Sequence, residues 1–313
     1  MISGGDDLKV SKKNKDGLTE KEFLEKYDAI SYERPSVTVD MVLFTLGEKQ
    51  KDTLGRKNKE KELKILLIKR GEHPFIDKWA IPGGFVKIGE SLGAGVQRKI
   101  KEETGLDDIY FEQLYTWGDV DRDPRMRIIS ASYMALVNNK QLKRNIETDE
   151  IAWFSVKKIS TGKQKISSKE IHYNYRVSLI NEERNIVINY DLIEKIIMRD
   201  FDREVCYEYK AVDGENLLAF DHLKIIDYAL ERMKNKAQYT PIAFSLLPKL
   251  FTLTELQQVY EILLGRELIK PNFRRWVNKL VEETDETKKE GAHRPSRLFK
   301  LKKEAIIDGV INI

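Results

Sequence analysis

Between Gly83 and Leu106 the chain places a glycine pair, Gly83-Gly84, ahead of Glu90, Arg98, Lys99, Glu102 and Glu103. At about 100° per residue, positions 99, 102 and 103 share roughly a third of a helix's circumference. Two carboxylates there, beside a loop with no Cβ to hold a ligand off, suit Mg²⁺ and the phosphates that travel with it. Lys99 opposes that chemistry. An ammonium has no lone pair for a cation, and at i,i+4 it is spaced to pair with Glu103.

A second charged region lies near the other end. From Arg266 to Lys303 there are twelve Lys or Arg against six Asp or Glu, an excess larger than the +4 of the whole chain. Its spacing predicts a helix over Pro271–Leu280, with Phe273, Trp276, Val277 and Leu280 inward and Arg274, Arg275, Asn278 and Lys279 outward. A charged hairpin follows, carrying Lys288, Lys289, Arg294 and Arg297. A helix of that kind presents guanidinium groups to guanine edges in a major groove, and the hairpin presents cations to backbone phosphates. A helical hairpin that merely faces solvent is the plain alternative.

A third group sits in the polar loop Gly118–Arg127, which holds Arg122, Arg125 and Arg127 among Asp119, Asp121 and Asp123. Two readings stay open: guanidinium forks for a diphosphate, or arginines paired with the loop's own carboxylates. Tyr115 and Trp117 just before it are either a platform for an adenine or core.

The elements that must position these residues follow from local pattern. Thr19 with Glu22 marks a capping box and a short helix to about Tyr27, ended before Pro35. Ser36–Leu46, Leu63–Arg70, Asp107–Trp117, Arg127–Val137 and Ile151–Val156 read as strands, with Gly47–Glu62 a charged connection. Ile171–Ile180 and Ile186–Tyr190 flank a polar turn and predict an added hairpin. Asp213-Gly214 is a turn and a candidate boundary. Beyond it come a helical face from Leu217 to about Lys234, a short turn over Pro241–Leu250, and a helix capped by Thr252 or Thr254 and stopped by Gly265. The hairpin of Val281–Glu290 and Leu298–Leu301 closes the set, in the order of a winged helix-turn-helix.

The totals bound the class. At 313 residues, 41% of them hydrophobic, the chain is long enough for about two domains, and no apolar run approaches a membrane span. It opens without an apolar signal segment, and its one cysteine, Cys206, excludes an intrachain disulfide framework and fits a reducing cytoplasm. Cys206 is expected as a small buried apolar side chain. The four histidines make no zinc spacing.

The stretch from Gly84 resembles the Nudix box, G-x5-E-x7-R-E-U-x-E-E-x-G-U with U aliphatic: Gly84, Glu90, Arg98, Ile100, Glu102, Glu103, Gly105 and Leu106 all match. Lys99 departs, standing where catalytic members have a metal-binding glutamate. Three further stretches accompany the box: Thr252-Leu-Thr-Glu-Leu-Gln-Gln-Val-Tyr-Glu261, Asn272-Phe-Arg-Arg275 and the arm Tyr32-Glu-Arg-Pro35. Together they make the chain, from about Phe23 to Lys302, resemble the Nudix-related transcriptional regulators.

That resemblance implies an α+β chain: a Nudix α/β/α sandwich with a mixed sheet, then a C-terminal winged helix-turn-helix. The expected division is a tail and arm at 1–35, the Nudix domain with its extra hairpin at 36–213, and the winged helix at 214–313. It implies a cytoplasmic homodimer, without membrane contact, that binds a double-stranded DNA operator and regulates NAD or sugar metabolism. ADP-ribose or a similar nucleotide or sugar is the expected effector, bound near Gly83, Gly84, Tyr115, Arg122, Arg125 and Arg127. Mg²⁺ on Gly84, Glu102 and Glu103 belongs to the alternative, an active ADP-ribose pyrophosphatase with Glu102 and Glu103 catalytic. Lys99 argues for weak or absent hydrolysis. One of Glu147, Asp149 and Glu150 is the candidate to compensate for it.

Overall fold

The computed structural model describes residues 12–49, 60–107, 109–138, 150–212, 214, 217–289 and 295–308. The chain divides into two units, Met1–Pro35 and Ser36–Ile313. In the first, helix α1 (Glu20–Lys26) opens on the expected capping box, Thr19 N donating to Glu22 Oε2 at 2.8 Å and Thr19 Oγ1 accepting from Glu22 N. None of its residues is buried. Phe23, Tyr27 and Tyr32 lie against one another, with ring centroids 5.6 and 6.0 Å apart.

The second unit is built on β1 (Ser36–Glu48), β2 (Lys61–Lys69), β3 (Trp79–Ala80), β4 (Gly83–Phe85), β5 (Phe111–Trp117), β6 (Ile128–Leu136), β7 (Ile151–Lys165), β8 (Glu170–Asn181), β9 (Ile186–Met198) and β10 (Arg203–Ala211). These form one mixed sheet of order β10-β9-β8-β7-β2-β1-β6-β5, with β3 on β2 and β4 on β1. Among the described strands, only the β1–β6 pair is parallel. β1 is buried almost end to end, because it lies between helices on both faces. Val39, Met41 and Leu43 face one side and pack on Val96 and Ile100 of α2 (Leu92–Thr104). Val42, Phe44 and Leu46 face the other side and join the larger core. The two-residue period thus joins both layers; Val96 and Ile100, near-fully buried, each contribute about 1.5–3 kcal/mol of hydrophobic stabilisation.

That larger core is shared with α3 (His222–Ala237), α4 (Leu253–Leu264) and α5 (Lys270–Val277). Ile225, Ile226, Ala229 and Met233 of α3 join Phe154 and Val177 of the sheet and Leu256 and Val259 of α4 in one cluster. Thr252, not Thr254, caps α4: its Oγ1 accepts from Glu255 N at 3.1 Å, and Glu255 Oε2 accepts from Thr252 N at 2.8 Å. Gly265 stops the helix at φ 65°, a left-handed conformation that glycine tolerates. Fully buried Tyr260 meets Phe273 and Trp276 of α5, centroids 5.8 and 5.1 Å away. β11 (Val281–Lys288) and β12 (Ser296–Leu301) make the two-stranded wing, Phe251 joins Phe299 by a single antiparallel bridge, and α6 (Lys303–Asp308) follows.

Three sequence expectations change. β7 runs nine residues beyond Val156 and β9 eight beyond Tyr190, because both keep pairing with β8 although their residues there are largely polar or exposed. The segment around Cys206 is strand β10, and Cys206 is half-buried rather than buried, since β10 is an edge with one face open. Half-buried Trp276 sits at the margin of the α5 core, not inside it.

Candidate functional site

Ser91 caps α2, its Oγ accepting from Ala94 N at 3.2 Å, and Gly105 ends the helix at φ 66°. Arg98 then binds the preceding loop to the helix. Its Nη2 and Nε donate to Glu90 at 2.6 and 3.0 Å, its Nη1 to Glu102 at 3.2 Å, and its Nη2 also to the carbonyl of Phe85 at 3.2 Å. Those bonds from Arg98 draw the Glu90 carboxyl down to about 2. Lys99 Nζ lies 2.9 Å from Glu102 Oε2 and 3.6 Å from Glu103 Oε1. Its hydrogen bond is the main cause of the lowered Glu102 pKa. The lysine stem runs over Gly84, where a Cβ would come 2.5 Å from Lys99 Cε. Two carboxylates neutralised by an ammonium between them are a poor donor set for a divalent cation, which would have to displace the lysine first. Among the described residues no group of three or more His, Cys, Asp or Glu is placed to hold a metal ion. Mg²⁺ does not fit the box as this sequence builds it.

A cavity of about 270 Å³ opens beside the box. Its walls come from Gly83, Gly84 and Phe85 of β4, Glu103 of α2, Asp40 of β1, Arg70 after β2, Arg122, Asp123 and Arg125 of the β5–β6 loop, and Phe220 and His222 at the head of α3. Gly83 is required by close approach: a Cβ there would sit 2.4 Å from Asp40 Oδ1 and 2.8 Å from the carbonyl of Val39.

The cavity's charge is arranged in pairs. Arg122, its side chain 5% exposed, donates from Nε and Nη2 to Asp221 at 3.0 and 2.8 Å and from Nη2 to Asp40 at 3.4 Å. Asp40 also accepts from Ser130 Oγ at 2.5 Å; burial outweighs these partners and raises its pKa. Arg125 forks onto Asp123 at 3.0 and 2.8 Å while its guanidinium lies between the rings of Phe85 and Phe220, 5.6 and 5.8 Å from their centroids. Arg70 stands 4.8 Å over the Phe220 ring and is anchored by the carbonyls of Pro74 and Glu72. Phe220 is held at φ 51°, an uncommon conformation for a bulky residue and of a kind that clusters at ligand sites. His222 is buried and accepts from the amide of Ile81 at 3.1 Å; desolvation lowers its pKa to about 3, so the ring is neutral.

Elsewhere in the same unit, α5 exposes Arg274 and Arg275; the helix ends at Val277 rather than at the expected Leu280, so Asn278 and Lys279 are exposed on the turn that follows. Arg275 donates to Asn272 at 3.0 Å, and neither Arg274 nor Lys279 has a carboxylate partner among the described residues. The wing differs. Arg297 pairs with Glu283, Lys300 with Glu282 at 2.7 Å, and Lys288 with Glu255 at 2.8 Å.

Comparison with known proteins places both features. Residues 54–175 match the NUDIX domain family, and residues 243–301 match the NrtR DNA-binding winged helix domain. The chain is 33% identical over 287 residues to the ADPR responsive transcriptional repressor NtrR of Acinetobacter baylyi, covering 90% of this chain and 88% of that one. This chain belongs to the Nudix-related transcriptional regulators. The crystal structure of Shewanella oneidensis NrtR with a 27mer DNA superposes with TM-score 0.58 at 28% identity, over 88% of this chain and 97% of that one. A MutT/nudix family protein from Enterococcus faecalis gives TM-score 0.61 at 29% identity, over 91% and 94%. The mixed sheet with its helices is therefore a Nudix fold followed by a winged helix domain.

Within this regulator, the cavity gathers Gly83, Gly84, Glu103, Arg122 and Arg125. It does not gather the rest of the expected site. Glu102 points along the helix surface into the pairs with Arg98 and Lys99. Arg127 donates to the carbonyl of Asp119 and Tyr115 packs on Trp117 and Tyr228, all away from the cavity wall. Both sit at strand ends whose alternation turns them to the α3 side or outward. Glu150 is exposed and outside the wall, while Glu147, Asp149 and Arg294 lie outside the described residues. Sequence reading missed Asp40, Arg70, Phe85, Phe220, Asp221 and His222. One clue was present: Asp40 is a lone carboxylate in an apolar strand, and a buried charge needs a partner. Phe220 and His222 carry no such mark, being far from the box along the chain.

Proposed function

We propose that this regulator is a cytoplasmic homodimer that binds operator DNA through α5 and the wing and takes ADP-ribose in the cavity beside Gly83 and Gly84. The observation that carries the reading is Lys99, whose ammonium lies against both helix carboxylates of the box, Glu102 and Glu103. With that cation in place the pocket retains the parts that bind a diphosphate and loses those that would cleave it. Arg122 and Arg125 supply guanidinium forks to phosphate, and Phe85 and Phe220 supply aromatic faces to a base or ribose. The relative's own name, a repressor responsive to ADPR, supports the same effector here. In the winged helix, Arg274 and Lys279 offer unneutralised charge to phosphates or guanine edges. Two copies present two such helices, matched to a palindromic operator. No helix among the described residues is long and apolar enough to cross a membrane.

The test is a mobility shift with DNA from upstream of the chain's own gene, with and without ADP-ribose. A shift that ADP-ribose alters is expected; no shift at low salt overturns the reading. AMP release from ADP-ribose with Mg²⁺ tests the hydrolase alternative. The unaltered chain should be slow, and Lys99→Glu should raise the rate by orders of magnitude. Fast release by the unaltered chain, abolished by Glu103→Gln, establishes an enzyme instead.

A further inference from the structure

We propose that Arg122 relays effector binding to the DNA-binding module by exchanging Asp221, at the head of α3, for a ligand phosphate. This rests on the diphosphate effector proposed above. Asp221 occupies the N-cap of α3, a position where aspartate ordinarily accepts from the helix's first amides. Here it makes no cap hydrogen bond. Its carboxylate is turned instead onto Arg122, with both oxygens engaged, and the left-handed Phe220 just before it sets that turn. The carboxylate therefore has two sets of partners, the guanidinium or the helix amides.

Arg122 is equally divided. It serves two carboxylates, Asp40 and Asp221, while its Nη1 donates to no described residue. A diphosphate entering the cavity brings further negative charge beside those two. Asp40 cannot leave, because it is buried in β1 and held by Ser130 at 2.5 Å. Asp221 can leave, because the amides of Leu223 and Lys224 are open to it, His222 N being taken by the Ala219 carbonyl; its backbone, now at φ −94° and ψ 21°, has to turn to the extended range of a capping residue as it goes. Freed, it caps the helix, and the segment Phe220–His222 changes its hold on the cavity wall. The consequence travels through packing: Ile226 and Ala229 of α3 lie in one cluster with Leu256 and Val259 of α4, and Tyr260 of α4 packs on Phe273 of α5. Ligand and DNA then bias the same two-state contact from opposite ends, and their coupling is reciprocal.

The experiment uses the full chain and two measurements: ADP-ribose affinity by calorimetry, and operator affinity by fluorescence anisotropy with and without ADP-ribose. In the unaltered chain ADP-ribose should change operator affinity by about 5- to 150-fold, the usual range for coupled sites. In Asp221→Asn, Arg122 is no longer held by a second carboxylate and the helix is capped in either state. ADP-ribose should bind several-fold tighter, its effect on operator affinity should fall below about twofold, and amide exchange at Leu223 and Lys224 should already be slow without ligand. Asp221→Ser, which also caps, serves if the asparagine variant does not fold. An Asp221 variant that binds ADP-ribose as the unaltered chain does, with the full effect on operator affinity, overturns the relay alone. Failure of the unaltered chain to bind ADP-ribose overturns the effector reading, and the relay with it.

Discussion

The arginines of the cavity and those of α5 are the same side chain in opposite circumstances. Arg122 is 5% exposed and locked to two carboxylates; Arg125 forks onto Asp123. Arg274 stands in solvent with no carboxylate among the described residues. Burial explains the difference, of the guanidinium itself at Arg122 and of the partner carboxylate at Asp123, since the Arg125 side chain is 42% exposed. A guanidinium taken out of water must find its counter-charge within the protein, so the ligand has to compete for it. A guanidinium left in water can wait for a polyanion and lose only hydration and loosely held counterions when it binds. The cavity is thus built for selective exchange, and α5 for strong, salt-sensitive attraction.

The largest test of this contrast is Arg122→Met. It leaves Asp40 and Asp221 facing each other without compensation, and the unfolding free energy in urea should fall by about 3–5 kcal/mol. Adding Asp221→Asn should recover part of that loss, because the two residues act as one unit. On α5 and the turn after it, Arg274→Ala or Lys279→Ala should leave the unfolding midpoint unchanged. Operator binding should weaken, with the salt dependence of log K reduced by about one unit for each phosphate contact removed.

Acid should act through the cavity and not through α5. His222 has a folded pKa near 3 against 6.5 when free, so below about pH 6.5 the unfolded chain takes up a proton that the folded chain refuses. Stability from this residue is complete above pH 6.5 and is lost towards pH 3, with a slope of up to about 1.4 kcal/mol per pH unit. Asp40, raised by burial, works in the opposite sense. Comparing urea unfolding of the unaltered chain with that of His222→Gln across this range isolates the imidazole. An identical pH dependence in the two would show that the ring is not held neutral.

The smallest expected effect is in the wing. Arg297 is already satisfied by Glu283, so Arg297→Ala should reduce operator affinity less than Arg274→Ala does. Glu283→Gln, by freeing the arginine, should increase it. Equal losses for Arg274 and Arg297 would erase the distinction between free and already paired charge.

Local signals carried far in this chain. The box glycines, a cap at Thr252 or Thr254, the stop at Gly265 and the outward face of α5 were legible, because each depends on residues within a few turns of one another; the structure chose Thr252. The extension of β7 and the strand β10 were less so, since polar residues on an open sheet face weaken the apolar alternation. Tyr115 and Arg127 show the limit in another way: neighbours of the cavity in sequence, they are turned from it by strand pleat and loop path.

What the sequence determined by itself was chemistry that repeats or caps: a phosphate-handling loop and helix, a lysine among its carboxylates, and a cationic helix before a hairpin. What only the tertiary structure decided was which charges are free. Whether Arg122 faces a ligand or an aspartate depends on Asp40 and Asp221, which lie 82 and 99 residues away and meet it through the sheet and the head of α3. Pairing of buried charge is a property of folded neighbours, and no local window of the chain contains both partners.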